Sequence, residues 1–270
     1  MTYHVNFQPL PPAEGDPAAH LRRRTPAVFR GLAADWPAVG SWAFPRIATL
    51  GPALPVRLVR GNRETTRTEF IHSDLGTYLH QLSEPPAANG EPLYLKEFDL
   101  LKAFPELRTE LGELPFLSGG GVASRSAWIG PAGARTGLHQ DLLDNCAVQI
   151  TGTKRFLLAR PGTVERAGAL SAKYDAWARL SRVGIEELAV GGRAVADGHL
   201  FVVDLEPGDV LHVPARWWHE VVNLSAGILL SGFYGSRAHV ARVWAQVQLR
   251  EMLHRARLLG SEGCTCHPAR

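Results

Sequence analysis

The chain has 270 residues, 45% of them hydrophobic, and its 29 Lys and Arg against 26 Asp and Glu leave a net charge of +3. Because the basic residues are dispersed, nucleic-acid binding is not expected, and no segment approaches the roughly 18 uninterrupted apolar residues of a membrane span. Met1 to Leu10 lack a signal-peptide pattern and three cysteines are too few for a disulfide scaffold, so we predict a cytoplasmic protein.

The order of predicted elements favours one β-rich domain with helices at its ends. Residues 1–24 are predicted to be an N-terminal arm, 25–235 the main domain, 236–260 a C-terminal helix and 261–270 a tail. Short alternating runs between Gly and Pro turns predict many strands, as in a double-sheet jelly roll. Helical patterns interrupt these strands from Thr68 to Leu82 and near Ala176 to Leu180.

The tail contains a small cluster of possible zinc ligands. Cys264, Cys266 and His267 are adjacent or nearly so in the sequence. Two thiols and one imidazole are one ligand short of a structural zinc site. We therefore expect a disordered tail, with zinc binding by this cluster as the alternative.

The stretch from Thr136 to Lys154 contains the main candidate for a functional site. His139 and Asp141 are two positions apart in a predicted strand. Alternate side chains of a strand point to the same side, so these two can bind one ion. Ordinary packing is the alternative unless a third ligand exists.

His219 is the best third ligand, because it follows a predicted tight turn and two bulky aromatic residues late in the sheet region. Two imidazoles and one carboxylate can form a facial triad, which leaves one face of an octahedral iron open for substrate and oxygen. Each of the three residues alone is more often structural. The pattern of His-x-Asp with a distant His also has many false matches.

Four polar residues add to this pattern. The charge of Lys154, on a strand of the same unit, can hold the remote carboxylate of a dicarboxylic cosubstrate, with a surface lysine as the alternative. Thr136, Tyr94 and Asn145 lie in neighbouring predicted strands and need hydrogen-bond partners if buried. The large aromatics of these strands either wall a cavity or belong to the core: Trp128, Trp217, Trp218 and Tyr234.

Five motifs occur in order: R-G-L-A-A-D-W-P, P-L-Y-L-K-E, T-G-L-H-Q-D-L-L-D-N, Q-I-T-G-T-K-R-F and L-E-P-G-D-V-L-H-V-P-A-R-W-W-H. Between about Pro26 and Gly235 the chain thereby resembles the JmjC/cupin-like 2-oxoglutarate-dependent oxygenases. Its resemblance is to the small hydroxylase type, which includes the asparaginyl hydroxylase that inhibits hypoxia-inducible factor.

This resemblance implies a fold, a set of cofactors and residue roles. The fold would be the double-stranded β-helix, mainly β with flanking helices, and the cofactors Fe(II), 2-oxoglutarate and O₂. His139, Asp141 and His219 would be the iron ligands. Lys154, Thr136 and Tyr94 would bind the C5 carboxylate of 2-oxoglutarate, and Asn145 would lie near its C1 end.

The chain departs from the family pattern at two places. Ser231 and Gly232 stand where the asparaginyl hydroxylase has a second asparagine, so one cosubstrate contact is missing or made by water. Residues 162–200 show no usable match, although such enzymes hold substrate there.

The activity implied is hydroxylation of an amino-acid side chain in a protein or peptide. Hydroxylation of a free amino acid or other small molecule, N-methyl demethylation, and a catalytically silent cupin binding module remain open. The expected partner is a peptide, protein or small-molecule substrate, with no nucleic acid and no membrane. The C-terminal helix either forms a homodimer contact or packs on its own sheet.

Overall fold

The computed structural model describes residues 7–61, 69–84, 91–114, 121–190 and 200–259. The prediction for Cys264 and Cys266 lies outside the described residues. The strands are β1 Gln8–Pro9, β2 Ala27–Phe29, β3 Pro55–Arg60, β4 Glu69–Asp74, β5 Leu93–Phe98, β6 Gly121–Gly130, β7 Arg135–Asp141, β8 Asp144–Thr151, β9 Lys154–Ala159, β10 Ala178–Leu180, β11 Leu200–Leu205, β12 Val210–Val213, β13 Trp218–Asn223 and β14 Gly227–Gly235.

Helices lie before, between and after these strands. They are α1 Pro17–Arg22, α2 Pro37–Ser41, α3 Phe44–Leu50, α4 Leu75–Ser83, α5 Leu100–Ala103, α6 Thr163–Arg166, α7 Ile185–Val190 and α8 Arg237–Arg255, with a 3-10 helix at Pro105–Glu110. In the part of the chain that the structure describes, none of them is long and apolar enough to cross a membrane.

The strands form two sheets that pack face to face. One has the order β1-β11-β9-β13-β7-β10 and the other β2-β12-β8-β14-β6-β5-β3-β4. Apolar side chains of both fill the space between them, among them Phe156 and Val203 from the first and Leu211 and Leu229 from the second. This arrangement is a jelly roll, and the predicted fold class is confirmed.

Helices cover the outer face of each sheet. Trp42, Ile47 and Leu79 pack with side chains of the eight-stranded sheet, such as Val148 and Leu230, in the largest core cluster. On the six-stranded sheet, Val164 of α6 and Ile185 of α7 pack against Leu138 and Trp218. Because both sheets are buried on both faces, the space between them is shielded from solvent except at its open end.

The segment predicted to be one helix from Thr68 to Leu82 changes type in the middle. Its first part is β4, which pairs with β3 and places His72 opposite Arg57. Asp74 ends the strand and caps α4, because its side chain accepts a hydrogen bond from Thr77 N at 2.7 Å. The predicted helix was therefore wrong from Glu69 to Asp74 and right from Leu75 to Leu82.

The helix-like piece predicted near Ala176 to Leu180 is a strand. β10 pairs antiparallel with β7, with Arg179 opposite Gln140 and Leu180 opposite His139. Pairing with β7 satisfies backbone groups that an isolated turn of helix would leave open. Tertiary pairing thus overrode a weak helical pattern.

The predicted N-terminal arm contains regular structure. β1 pairs with β11 in parallel at the edge of the six-stranded sheet, and α1 starts at Asp16, whose side chain accepts a hydrogen bond from Ala18 N. Pro207 and Gly208 form a turn between β11 and β12, since Asp209 N donates to Glu206 O and Gly208 has a φ of +91°.

Candidate metal centre and cosubstrate pocket

The three predicted metal ligands come together on two neighbouring strands. β7 and β13 are antiparallel, and His139 lies directly opposite His219. Asp141 is two residues further along β7, so its side chain points to the same face. The candidate ligand atoms of the three residues all lie within 4.8 Å of one another, which is close enough for one ion to contact all three.

Backbone carbonyls orient both imidazole rings. The Nδ1 atom of His139 lies 2.7 Å from Gly137 O, and that of His219 lies 3.1 Å from Trp217 O. A ring nitrogen beside a carbonyl oxygen must carry the proton, which leaves Nε2 as the acceptor in the neutral ring. Each Nε2 faces the Asp141 carboxylate, at 3.9 Å from His139 and 3.5 Å from His219.

The Asp141 carboxyl lies in an environment that suits a cation. Burial raises its pKa to about 8, with further contributions from the nearby charges of Asp175 and Glu97. Its Oδ2 atom has no hydrogen-bond partner among the described residues. A buried carboxylate oxygen without a donor is costly unless an ion neutralises it, so the donor set fits Fe(II).

Lys154 lies at the start of β9, in the same cavity as the His–Asp–His cluster. Its side chain is 1% exposed, and its Nζ donates a hydrogen bond to the Tyr94 hydroxyl at 2.8 Å. Burial, with repulsion from Lys96, lowers the pKa of Lys154 to about 7. No ion pair between described residues includes Lys154, so this ammonium is suited to receive a carboxylate.

Thr136 and Asn145 line the same cavity. Asn145 accepts a hydrogen bond from Ser231 Oγ at 2.7 Å, and a hydrogen bond from Asn145 also lowers the pKa of Asp141. Ser231 is one of the two residues at which the chain departs from the family pattern, and it contacts Asn145. Its neighbour Gly232 lines a separate cavity on the other face of β14.

The cavity has a volume of about 610 Å³ and lies between the two sheets. Its inner part holds all seven of the predicted site residues: Tyr94, Thr136, His139, Asp141, Asn145, Lys154 and His219. Their proximity agrees with the sequence prediction, while the role of each remains a prediction. The Nε1 atom of Trp128, which also lines the cavity, has no hydrogen-bond partner among the described residues.

The cavity rim contains residues that sequence reasoning missed, including Arg125, Asp175 and Trp177. Another is Glu97, which regular alternation along β5 would place on the face opposite to Tyr94. A β-bulge interrupts the pairing of β5 with β6 between Leu95 and Phe98, and Glu97 has a φ of +56°. The bulge shifts the alternation by one residue, so both Tyr94 and Glu97 line the cavity.

The remaining predicted aromatics have different locations. Trp217 belongs to the core between the sheets, and Trp218 packs under α6 and α7 on the outer face. Tyr234 lies on the outer face of the eight-stranded sheet and its hydroxyl is 2.7 Å from His212 Nδ1. Of the four aromatics, Trp128 walls the cavity and the others are core residues.

The helix α8 holds the loop that forms one wall of the cavity. Tyr174 stacks on His254 with ring centroids 3.7 Å apart and donates a hydrogen bond to Glu251 Oε2 at 3.0 Å. Arg250 donates to Asp175 O at 3.0 Å. Since Tyr174 and Asp175 line the cavity, the last helix supports its wall.

A jelly roll that holds two histidines and an aspartate beside a buried lysine defines the class of cupin-like oxygenases. Comparison with known proteins agrees, because the sequence profile of the cupin-like domain matches residues 12–239. The chain belongs to this family, whose JmjC-type members are Fe(II)- and 2-oxoglutarate-dependent oxygenases.

Several curated proteins are similar to the chain. It is 26% identical to lysine-specific demethylase JMJ30 of Arabidopsis thaliana over 79% of this chain and 51% of that protein. It is also 26% identical to tRNA wybutosine-synthesizing protein 5 of Mus musculus, over 65% of this chain and 52% of that one. The HSPB1-associated protein 1 homolog of Danio rerio is 26% identical over 80% and 53% of the two chains. The chain thus spans about half the length of these relatives.

Proposed function

We propose that the protein is an Fe(II)- and 2-oxoglutarate-dependent hydroxylase that acts on an amino-acid side chain of a protein or peptide. One observation carries the proposal: a single cavity holds both the His139–Asp141–His219 cluster and the buried ammonium group of Lys154. A cupin that only binds a metal needs the cluster but has no need for a buried cation beside it. The combination supports a cosubstrate that carries a carboxylate.

His139, Asp141 and His219 would hold the iron. Bound Fe(II) and 2-oxoglutarate supply the oxidising chemistry that places one oxygen atom of O₂ on a substrate C–H bond. The carbonyl oxygens of Gly137 and Trp217 keep the imidazole rings in the tautomer that presents Nε2. The Asp141 carboxylate contributes the negative charge.

Lys154 and Tyr94 would bind the remote carboxylate of 2-oxoglutarate, with Thr136 beside them. The hydrogen bond from Lys154 to the Tyr94 hydroxyl leaves the other ammonium protons for that carboxylate. Asn145, held by Ser231, would orient the end of the cosubstrate nearest the iron. Burial of these groups excludes water from the reacting end.

The rim supports a substrate side chain carried on a larger molecule. Ser124 and Arg125 are exposed there, and Trp177 is 45% exposed, so the cavity opens to solvent. The carboxylates of Glu97 and Asp175 also lie at the rim. An opening with charged and aromatic groups fits a polar side chain that enters from a peptide.

The test is turnover by the purified protein with Fe(II), 2-oxoglutarate and O₂. We expect succinate formation that rises when a pool of cell-derived peptides is added, and mass spectrometry should find peptides with one added oxygen atom. His139→Ala should abolish both signals. His72 is an exposed histidine on β4, so His72→Ala should leave both signals unchanged. Absence of turnover by the wild type, or full turnover by His139→Ala, would refute the proposal.

Demethylation is the second candidate, because two relatives are named lysine-specific demethylases. Hydroxylation of an N-methyl group releases formaldehyde, so formaldehyde from methylated peptides would favour demethylation. A relative named for wybutosine synthesis in tRNA makes tRNA a necessary member of the substrate panel. Activity on free amino acids alone would point to a small-molecule enzyme.

A catalytically silent binding module remains the alternative from another class. Such a module would bind the metal without consuming 2-oxoglutarate. Measured iron content together with the dissociation constant for 2-oxoglutarate separates the two classes. Iron binding without 2-oxoglutarate binding would favour the module.

We also propose that α8 forms a homodimer contact. Val243 and Val247 pack on Leu143 of the same chain, while Trp244 is 56% and Met252 59% exposed. A helix with an apolar face on each side can pack on its own sheet and on a second copy. Light scattering should show a dimer that Trp244→Lys converts to a monomer. A monomeric wild type at high concentration would refute this contact.

A further inference from the structure

We infer that Glu165 is a positioning residue that fixes the geometry of the metal centre from the outer face of the six-stranded sheet. The inference rests on the proposed function, because it concerns how the three ligands are held. It assigns a role to a carboxylate that lies outside the cavity.

The residues that Glu165 binds are chain neighbours of the metal ligands. In one cross-strand row, Arg179 of β10 and Trp218 of β13 both lie opposite Gln140 of β7. The next row contains His139 opposite His219. Alternation therefore points the ligand row into the cavity and the first row to the outer face.

Glu165 joins this outer row through both carboxylate oxygens. Its Oε1 atom accepts a hydrogen bond from Arg179 Nη1 at 2.8 Å, and its Oε2 atom accepts one from Trp218 Nε1 at 3.0 Å. Trp218 is completely buried, so its indole N–H needs an acceptor inside the protein. One carboxylate thereby links β10 to β13 across β7.

The middle of the row, Gln140, is bound to the arginine that Glu165 holds. With its amide oriented to satisfy both neighbours, Gln140 accepts from Arg179 at 3.2 Å and donates to Arg216 O at 2.8 Å. Arg216 N in turn donates to Asp141 O at 3.0 Å. The turn before His219 is thus fastened to the end of the strand that carries the other two ligands.

These contacts set the separation and the tilt of β7 and β13 at the level of the ligands. His139 and Asp141 flank Gln140, and His219 follows Trp218. A shift of the outer row must therefore move the ligand row. Groups that orient metal ligands from behind typically change metal affinity about 10-fold to 100-fold when removed.

The chain offers a matched control for the loss of such a contact. Glu110 also accepts hydrogen bonds from an arginine, Arg46, at 3.0 Å and from a tryptophan indole, Trp42 Nε1, at 3.0 Å. It lies in the 3-10 helix of the outer layer, away from the ligand strands. Glu165→Gln and Glu110→Gln therefore each remove a carboxylate that accepts hydrogen bonds from an arginine and a tryptophan, one beside the ligand strands and one away from them.

The experiment measures Co(II) binding to the metal-free full chain by calorimetry, together with the visible spectrum of bound Co(II) and the melting temperature of the metal-free form. We expect Glu165→Gln to raise the Co(II) dissociation constant about 10-fold and to alter the spectrum. Glu110→Gln should lower the melting temperature and leave the dissociation constant and spectrum unchanged.

Each outcome decides a separate point. Equal Co(II) affinity and spectrum in Glu165→Gln and the wild type would overturn the inference and leave the proposed function standing. A wild type that does not bind Co(II) would overturn both. If Glu165→Gln does not fold, Arg179→Met replaces it, because the Arg179 side chain is half-exposed. This variant should also weaken Co(II) binding. Unchanged binding would count against the inference.

Discussion

At the scale of single residues, Lys154 has an environment that limits the stability of the fold. Its ammonium is buried, and its pKa is lowered to about 7 from the ordinary 10.5. Below pH 7 the group is charged in the folded and unfolded states, so folding bears the full cost of burying it. From about pH 7 to 10.5 the folded-state amine is neutral and the cost fades, so stability rises with pH across this window.

Lys154→Met should therefore stabilise the protein in the absence of cosubstrate. We expect an increase of about 1–3 kcal/mol in the free energy of unfolding below pH 7, because a buried charge is replaced by an apolar chain of similar length. The gain should shrink as the pH rises towards 10.5. Urea denaturation at several pH values measures it, and Lys102→Met, at an exposed lysine, serves as the control.

The same substitution should remove cosubstrate binding. A carboxylate placed in this pocket without its ammonium partner would be buried and unpaired, so the dissociation constant for 2-oxoglutarate should rise about 100-fold or more. Calorimetry with Mn(II)-loaded protein measures this constant. Unchanged affinity in Lys154→Met would show that another group holds the carboxylate.

Replacement by alanine should change the stability of the fold in opposite directions at two glycines. A Cβ at Gly232 would meet only Cys146 O at 3.9 Å and Arg125 Cγ at 4.0 Å, whereas at Gly152, with a φ of +70°, it would lie 2.2 Å from Ala226 O. Gly232→Ala should add about 0.4–1 kcal/mol of stability. Gly152→Ala should cost about 2–4 kcal/mol, and denaturation of both variants checks the signs.

The residues of the inner cavity were predicted from the sequence, whereas those of its rim were not. Alternation along one strand placed His139 beside Asp141. Lys154 lies on β9, which β13 separates from β7, and only the resemblance to a known family placed it at the same site. Glu97 depends on a bulge with a positive φ, which alternation cannot predict. Glu165 and Trp218 are 53 positions apart, and no local pattern joins them.

Among the elements, α8 combines two contacts, with the sheet beneath it and with the cavity wall at residues 174–176. Its Arg250 donates to Asp175 O at 3.0 Å and to Ala176 O at 3.4 Å. These are hydrogen bonds to a loop with little regular structure of its own. The loop therefore depends on the helix for its position.

Arg250→Met should loosen this wall without changing the metal centre. We expect faster amide hydrogen exchange at residues 174–177 and a several-fold higher KM for the substrate, while the metal dissociation constant stays the same. Arg242→Met is the control. Arg242 lies on the same helix, and among the described residues its side chain has a hydrogen bond only with His239. Equal exchange in both variants would contradict the role of Arg250.

For the whole molecule, a metal held by His139, Asp141 and His219 would join two strands that are about 80 residues apart in sequence. An ion that binds only the folded state stabilises it according to its free concentration. At 100 times its dissociation constant, Co(II) should add about 2.7 kcal/mol, which corresponds to a rise of about 5–10 °C in Tm. Calorimetry should show this rise in the wild type and in His72→Ala and its absence in His139→Ala.

The overall architecture followed from the sequence because turn residues and alternation mark most strands of a jelly roll. The errors at Glu69 to Asp74 and at Ala178 to Leu180 fall on segments whose type depends on the strand beside them. Among the described residues, β4 pairs only with β3 and β10 only with β7. Whether such a segment becomes a strand depends on that long-range pairing, which a local pattern does not contain.

The contacts of α8 with the loop at residues 174–176 also set an order of events during synthesis. All three candidate metal ligands have been made once the ribosome passes His219, whereas Glu251 and His254 emerge later. The entrance for substrate is therefore the last part of the cavity to take its final form.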